Sequence, residues 1–433
     1  MKVRHLFAVA CGVIASVNAG PPPHDLAVRM LASIEERGQA TLDAGGSTGF
    51  IQLGLFWQAL AVVTKPVTLS AANDALRPLL NESLASSISA FANVSRDSKL
   101  PLDRLSLGAD MLAWSLGFGN DVQAAEYLPT IDALNASLAL QPRNANGGLW
   151  YYNNVNNLTA YRNLSYLDGM YSYAPFVTIL PQLHDGYYGD SLVALEAALR
   201  QIQILYEICV LPSGLLVHGY DALKAHRWAN ASTGASPEVW GRSLAWFSLG
   251  ILNTLEIAAR SQDLECSEAY ATLKLLFRNV MSAQVQAAER SKALTGVPGV
   301  WQVVDRPGEA GNYVEASSSF MTVYTLLRGA RLELLDEEYE YGTAAYERHT
   351  NRTGTDSVIS IAEEIYELVS AEFLISYANG SLSLNGTSIV ASLNPQDIGY
   401  DYYVSRPTEM DSLVGTSAFA LASFEMGRLD ALT

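Results

Sequence analysis

What most limits this chain is an apolar repeat of helical period that recurs from residue 25 to residue 428, with no Pro/Ser-rich linker to divide it. Leu26, Met30, Leu31 and Ile34 share one face of Asp25–Arg37. Spacings at i, i+3 and i+4 also mark Gln52–Val62, Ala75–Phe91, Arg104–Phe118, Ser191–Cys209, Arg242–Arg260, Glu268–Ala288, Ser317–Leu335, Thr355–Ser376 and Val414–Arg428. Two further segments fit around 122–140 and 168–183. Strand-like alternation is confined to short pieces at 215–218 and 300–304. About twelve helices joined by Gly-, Asn- and Pro-containing turns pair naturally as hairpins. The fold expected is all-α: an (α/α)6 barrel, a six-hairpin toroid with short strand-like loops. A helical solenoid is the alternative, but no repeat of fixed period is visible.

A toroid of this size needs a large core, and 49% hydrophobic residues in 433 supply it. Residues 20–433 are expected to form one domain. Lys and Arg total 27 against 44 Asp and Glu, a net charge of −17. A nucleic-acid binder needs a basic face, so no nucleic acid is expected as partner, and an anionic membrane surface is not expected either. An anionic ligand would have to be held by a local cluster of cations.

Residues 1–19 carry the marks of a secretory signal peptide. Lys2 and Arg4 precede an apolar run from Leu6 to Ala15, and Val17-Asn18-Ala19 offers a small-residue cleavage site. Asn-x-Ser/Thr sequons stand at Asn81, Asn93, Asn135, Asn157, Asn163, Asn230, Asn351, Asn379 and Asn385. Together these point to a secreted, extracellular glycoprotein, and a monomer is expected. Cys209 and Cys266, which follow the signal, could form a disulfide or remain two free thiols. The cysteines lack metal-ligand spacing, and neither a metal nor another cofactor is expected.

Four segments carry more polar and aromatic residues than packing needs. In the first, Tyr166 to Phe176, Asp168 precedes a helical stretch and could act as an N-cap or as a functional carboxyl. The second runs from Gly214 through His218 and Asp221, then from Trp228 to Trp246. Within it Arg242 and Trp246 stand four apart at a helix start and share a face. A guanidinium beside an indole suits a carboxylated sugar, with the fork on the carboxylate and the ring against the pyranose. The third, Gly299 to Phe320, places Glu315 before a run of hydroxyls, where capping accounts for much of the pattern. The fourth, Tyr402 to Gly415, has a tyrosine pair ahead of a small-residue helix start.

In order and spacing these segments resemble the unsaturated rhamnogalacturonyl hydrolases, glycoside hydrolase family 105. The matching pieces are Asp103 with Gly108, Gly147-Gly148-Leu149-Trp150, Tyr166-Leu167-Asp168-Gly169-Met170-Tyr171, Gly214-Leu215 through His218 to Asp221, Trp228 through Trp246, Trp301 through Ser317, and Tyr402 through Gly415. The resemblance implies an (α/α)6 barrel and an unsaturated oligosaccharide as partner. The reaction would hydrate the C4=C5 double bond of a 4,5-unsaturated galacturonic acid at the non-reducing end of pectin lyase products. It implies Asp168 as general acid and then base, Asp103 as the second carboxylate, and His218, Arg242 and Trp246 as holding the uronate carboxylate and ring, with Tyr166 and Trp150 lining the site. The related unsaturated glucuronyl hydrolases, which take glycosaminoglycan fragments, are the alternative, followed by an exported sugar-binding barrel without turnover. The family often has His-Lys after the Gly-Gly-aromatic-Trp turn. Here Tyr151-Tyr152 stand there, and Arg162 is the candidate to replace the missing cation.

Overall fold

The computed structural model of the protein describes residues 21–42, 48–64, 79, 83–88, 90–91, 93–117, 121–153, 159–183, 187–335 and 355–429. The signal segment 1–19 lies outside the described residues, as does most of the stretch 75–82. Eleven long helices follow one another among the described residues. They are α1 (Pro23–Glu36), α2 (Gly49–Thr64), α3 (Arg104–Gly117), α4 (Asp121–Ala139), α5 (Gly169–Ile179), α6 (Ser191–Cys209), α7 (Gly241–Ala258), α8 (Glu268–Thr295), α9 (Ala316–Arg331), α10 (Thr355–Phe373) and α11 (Leu413–Leu429).

Six of them close a ring. Helices α2, α3, α5, α7, α9 and α11 each pack on the next, and α11 returns to α2. Outside this ring, α1 lies on α11, α4 on α3, α6 on α5, α8 on α7 and α10 on α9. This is the (α/α)6 arrangement. The sequence explains the division into layers. In α7 and α9 nearly every residue is buried, polar ones included, as a helix enclosed on all sides requires. Outer helices bury one stripe, as α1 does through Ala27, Met30, Leu31 and Ile34.

Local signals set the ends of the outer helices. Pro23 opens α1, where its missing N–H costs nothing. The Asp190 side chain accepts from the N–H groups of Leu192 and Val193 to start α6, and Ser267 accepts from Tyr270 to start α8. Gly296, at φ 81°, ends α8 in the left-handed conformation that glycine adopts without strain.

The strands are short. Leu164–Tyr166 (β1) pairs antiparallel with Gly219–Asp221 (β2), Leu374–Ser376 (β3) with Leu382–Leu384 (β4), and Thr387–Ser388 (β5) with Thr408–Glu409 (β6). The helix expected to reach Ser376 therefore stops at Phe373 and continues as β3. Bridges join Trp240 to Val303 and Trp301 to Val314. These pairings stitch together the segments leading into α5, α7, α9 and α11, so the N-terminal ends of inner helices are held side by side on one face. Cys209 is buried and Cys266 exposed, and both are free thiols.

Candidate active site

Asp168 directly precedes α5, yet it does not cap it. Its backbone is already helical (φ −50°, ψ −38°) and its side chain makes no capping bond. The carboxylate turns sideways to α7, where the Ser243 hydroxyl donates to Oδ2. His218 Nε2 stands 3.6 Å from the same oxygen. Burial pushes the Asp168 carboxyl up to about 6, against the lowering effects of Ser243 and of the Arg242 charge.

Asp103 ends the turn before α3. Beside it, Arg104 is fully buried and anchored to Ser137 Oγ (2.9 Å), the Leu100 carbonyl (3.0 Å) and Gln141 Oε1 (3.0 Å). Asp103 Oδ1 accepts from the Tyr151 hydroxyl at 2.5 Å. The backbone explains why Tyr151 reaches it: Leu102 N donates to the Tyr151 carbonyl (3.0 Å), and Tyr151 N donates to the Leu164 carbonyl at the start of β1 (2.8 Å). Burial raises the Asp103 carboxyl to about 7 against the Tyr151 bond, and the neighbouring Asp168 charge adds to the rise. The two carboxyls therefore titrate as an interacting pair, both holding protons well above the ordinary aspartate range.

His218 has no accessible surface, and burial lowers its pKa to about 3. It is a neutral imidazole and brings no positive charge to the uronate carboxylate that the resemblance has it hold. Its Nδ1 lies 2.9 Å from the Tyr403 hydroxyl, and burial keeps that phenol protonated. The carboxyl of Asp168 favours the tautomer with the proton on Nε2, for which Tyr403 is the donor to Nδ1. His218 is thus a neutral imidazole whose Nε2 faces Asp168 at 3.6 Å without a hydrogen-bond partner among the described residues.

Arg242 also departs from expectation. Its Nε donates to Ser317 Oγ (2.9 Å), and its Nη2 donates to Glu315 Oε1 (2.7 Å), to Ser388 Oγ (2.8 Å) and to the Ser388 carbonyl. Glu315 is fully buried and caps α9 through Ser318 N (2.7 Å), while Ser388 N donates to it from β5 (2.9 Å). Burial acts to raise the Glu315 carboxyl, but Arg242 and these N–H groups outweigh it, and the net direction is downward. The two-nitrogen edge expected to grip a substrate carboxylate is therefore already taken by Glu315 and its neighbours. Among the described residues only Nη1 has no such bond.

The indole beside the guanidinium is Trp240, 5.3 Å from the guanidinium carbon to the ring centre and 4.7 Å from the His218 ring. Trp246 shares the helix face of Arg242 but packs against Tyr171 with the rings tilted, 4.6 Å between centres. Tyr166 packs its ring on Tyr151 (4.5 Å) and His218 (5.3 Å), and its oxygen lies 3.0 Å from both Ser392 Oγ and Leu393 N. Trp150 is half-buried with Nε1 enclosed and unbonded, and the residue of its turn that reaches an acid is Tyr151. Arg162 is exposed. Tyr151, Tyr152 and Tyr161 form successive ring contacts at 5.0 and 4.4 Å, a tyrosine wall beside the two acids that suits a sugar ring. Among the described residues no group of three or more His, Cys, Asp or Glu is arranged to hold a metal ion.

The arrangement offers a buried carboxyl raised toward neutral pH, a second carboxyl in electrostatic contact with it, a neutral imidazole beside them and aromatic walls: a site for acid–base chemistry on a sugar. Comparison with known proteins agrees. Residues 118–430 match the model of Glycosyl Hydrolase Family 88, a span that includes Asp168, His218, Arg242 and Glu315 and leaves Asp103 ahead of it. Protein Atu3128 of Agrobacterium fabrum is 32% identical over 238 residues, 53% of this chain and 90% of that protein. A 24.9 kDa protein in the picA locus of Rhizobium radiobacter matches with the same figures. Among solved structures, a family 105 glycoside hydrolase from C. acetobutylicum has a TM-score of 0.69 at 23% identity, covering 92% of this chain and 98% of that one. An unsaturated glucuronyl hydrolase from Bacillus sp. GL1, responsible for the degradation of glycosaminoglycan, has a TM-score of 0.56 at 12% identity, covering 94% and 95%. With a family match over most of its length and an acid pair set in a tyrosine-walled site, the chain belongs to glycosyl hydrolase family 88 and is a glycoside hydrolase.

Proposed function

We propose that the enzyme removes a 4,5-unsaturated galacturonic acid from the non-reducing end of rhamnogalacturonan lyase products by hydrating the C4=C5 double bond. The observation that carries this reading is the pair of buried carboxyls raised to about 6 and about 7. Hydration of a vinyl ether needs a carboxyl that still holds its proton near the working pH. Asp168 gives its proton to C4, and positive charge develops at C5 and the ring oxygen. Water adds at C5 and returns a proton to Asp168. The C5 hemiketal then opens at its bond to the ring oxygen, leaving a ketone at C5 and a hemiacetal at C1, which collapses to an aldehyde and releases the aglycone. This needs one proton donor and one water, and it differs from displacement at the anomeric carbon.

In this scheme the Ser243 hydroxyl orients Asp168, and the neutral His218 packs beside it. Asp103, bonded to Tyr151, tunes it through their mutual charge. The uronate carboxylate is read by Nη1 of Arg242 and by hydroxyl donors of the tyrosine wall. The sequence resemblance supports galacturonate over glucuronate. Export is part of the proposal, supported by the basic and apolar residues of 1–19 and by sequons whose asparagines Asn93, Asn230, Asn379 and Asn385 are exposed. The test is incubation with unsaturated rhamnogalacturonan and glycosaminoglycan disaccharides, following loss of absorbance from the double bond. Turnover of the first supports the assignment. Preference for the second makes the enzyme a glucuronyl hydrolase, and turnover of neither removes the hydration reading.

A further inference from the structure

The inner helices point their N-terminal ends toward Asp103 and Asp168, so their C-terminal halves surround the other end of the ring. A cavity of about 520 Å³ lies there, separate from the acid pair. Arg260, Arg328, Arg331 and Arg428 line its outer part. Arg328 and Arg331 belong to the last turn of α9, Arg428 to that of α11, and Arg260 follows α7. A chain with 17 more acids than bases thus gathers four arginines around one cavity.

Two of the four are neutralised. Arg331 holds Glu425 through Nε (2.8 Å) and Nη2 (3.0 Å). Arg328 joins Glu425 (3.2 Å) and Glu256, its Nε 2.8 Å from Oε1. Two guanidiniums and two carboxylates cancel. Arg260 and Arg428 make no ion pair among the described residues; Arg428 lies over the Phe424 ring at 5.4 Å. A cation in a last helical turn complements the helix dipole, which accounts for Arg428 alone. It does not account for Arg260, which stands exposed beyond the end of α7 and within the field of Glu256.

The inner part of the cavity is polar. Gln58 accepts from Tyr171 (3.0 Å) and exchanges bonds with Asn253 (2.9 and 3.1 Å). Asp110 faces the same space, with Oδ2 lacking any partner, and burial raises its carboxyl well above the usual range. Hydroxyl- and amide-bonding groups at one end and, at the other, four guanidiniums against two carboxylates, with Arg260 and Arg428 exposed at the mouth, match one class of ligand: a small polyhydroxylated molecule carrying a carboxylate. The volume falls within the usual range for small-molecule sites, about 300–1,000 Å³. We propose that this cavity is a second binding site, taking a sugar acid, at the end of the barrel opposite the catalytic carboxyls.

The test is titration calorimetry of the full chain with sodium galacturonate, with galactose and sodium acetate as controls for the carboxylate and the hydroxyls. Galacturonate is expected to bind the wild type at this site and both controls at least tenfold more weakly. Arg260→Gln/Arg428→Gln should lose one galacturonate per chain, with activity on the unsaturated disaccharide unchanged when no free sugar acid is present. Ala113→Phe, which fills the cavity and leaves every charge in place, should lose the same site and keeps the test valid if the arginine variant fails to fold. Unchanged galacturonate stoichiometry in either folded variant overturns the proposal, and so does galactose binding as tightly as galacturonate. Because the readout is binding, this outcome is independent of whether the hydration chemistry is right.

Discussion

Asp168 stands one residue ahead of a helix and turns its carboxyl to Ser243, with His218 3.6 Å away. Asp168→Asn keeps the shape and removes the transferable proton, so turnover should fall by at least ~10²–10⁴-fold, measured as loss of double-bond absorbance. Near-wild-type turnover would mean the proton comes from elsewhere. Stability should move the other way. An unfolded aspartate titrates near 3.9, whereas these two hold protons to about 6 and about 7 in the folded chain. The folded state therefore binds more protons between about pH 4 and 7, and stability falls as pH rises through that window. Each carboxyl costs roughly 1.4 kcal/mol for every pH unit that separates its unfolded from its folded titration. Asp103→Asn/Asp168→Asn should be more stable than wild type at pH 8 and equal to it at pH 4, read as urea midpoints. A wild-type midpoint that does not fall between those pH values relative to the variant would show that neither carboxyl is held protonated. Asp168, His218 and Arg242 stood out because each sits in a short polar and aromatic run, whereas Asp103, in the mostly apolar run Leu100 to Leu107, was marked only by the family resemblance. The partners that decide their chemistry did not stand out. Tyr151 meets Asp103 through backbone bonds between segments far apart in sequence, and Glu315 meets Arg242 across two helix starts. Spacing of four put Trp246 on the face of Arg242, but Trp240, placed by its bridge to Val303 ahead of the helix, took the adjacent position.

At the scale of elements, the contact between α5 and α7 fixes the distance between Asp168 and Ser243. It depends on Gly250, where an added Cβ would lie 2.6 Å from the Met170 carbonyl carbon and oxygen. Gly250→Ala would force the helices apart, at a cost of about 1–3 kcal/mol as for other overpacked cores. It should lower the melting temperature and reduce kcat together; a loss of stability with kcat intact would mean that this spacing does not set the acid. Glu315→Gln is a different perturbation, because it leaves Arg242 as an uncompensated buried cation, worth about 3–5 kcal/mol. Arg242→Met/Glu315→Gln should recover part of that stability while remaining inactive, a non-additivity visible in thermal melts. Additive losses would show that the pair does not act as a unit. The outer helices were easy to see in the sequence, because one buried stripe imposes a period. The inner ones were harder to bound, because burial on every side removes the polar face that marks where a helix begins and ends.

Over the whole molecule, a charge of −17 repels an anionic oligosaccharide before any contact forms. Raising ionic strength from about 0.01 M to 0.15 M shortens the Debye length from roughly 30 Å to 8 Å. KM for an acidic substrate should fall over that range with kcat little changed, which initial-rate measurements at several salt concentrations would show. A KM that rises with salt would mean that local cations dominate the approach. The closed ring has a further bearing on how the chain is made. Helix α11 packs on α1, α2 and α9, so elements formed early in synthesis wait for residues 413–429 before their last faces are covered. At roughly 5–20 residues per second a ribosome takes tens of seconds to deliver them. Through that interval the nascent chain carries an apolar seam with nothing to close it, and the barrel becomes rigid only when synthesis is almost done.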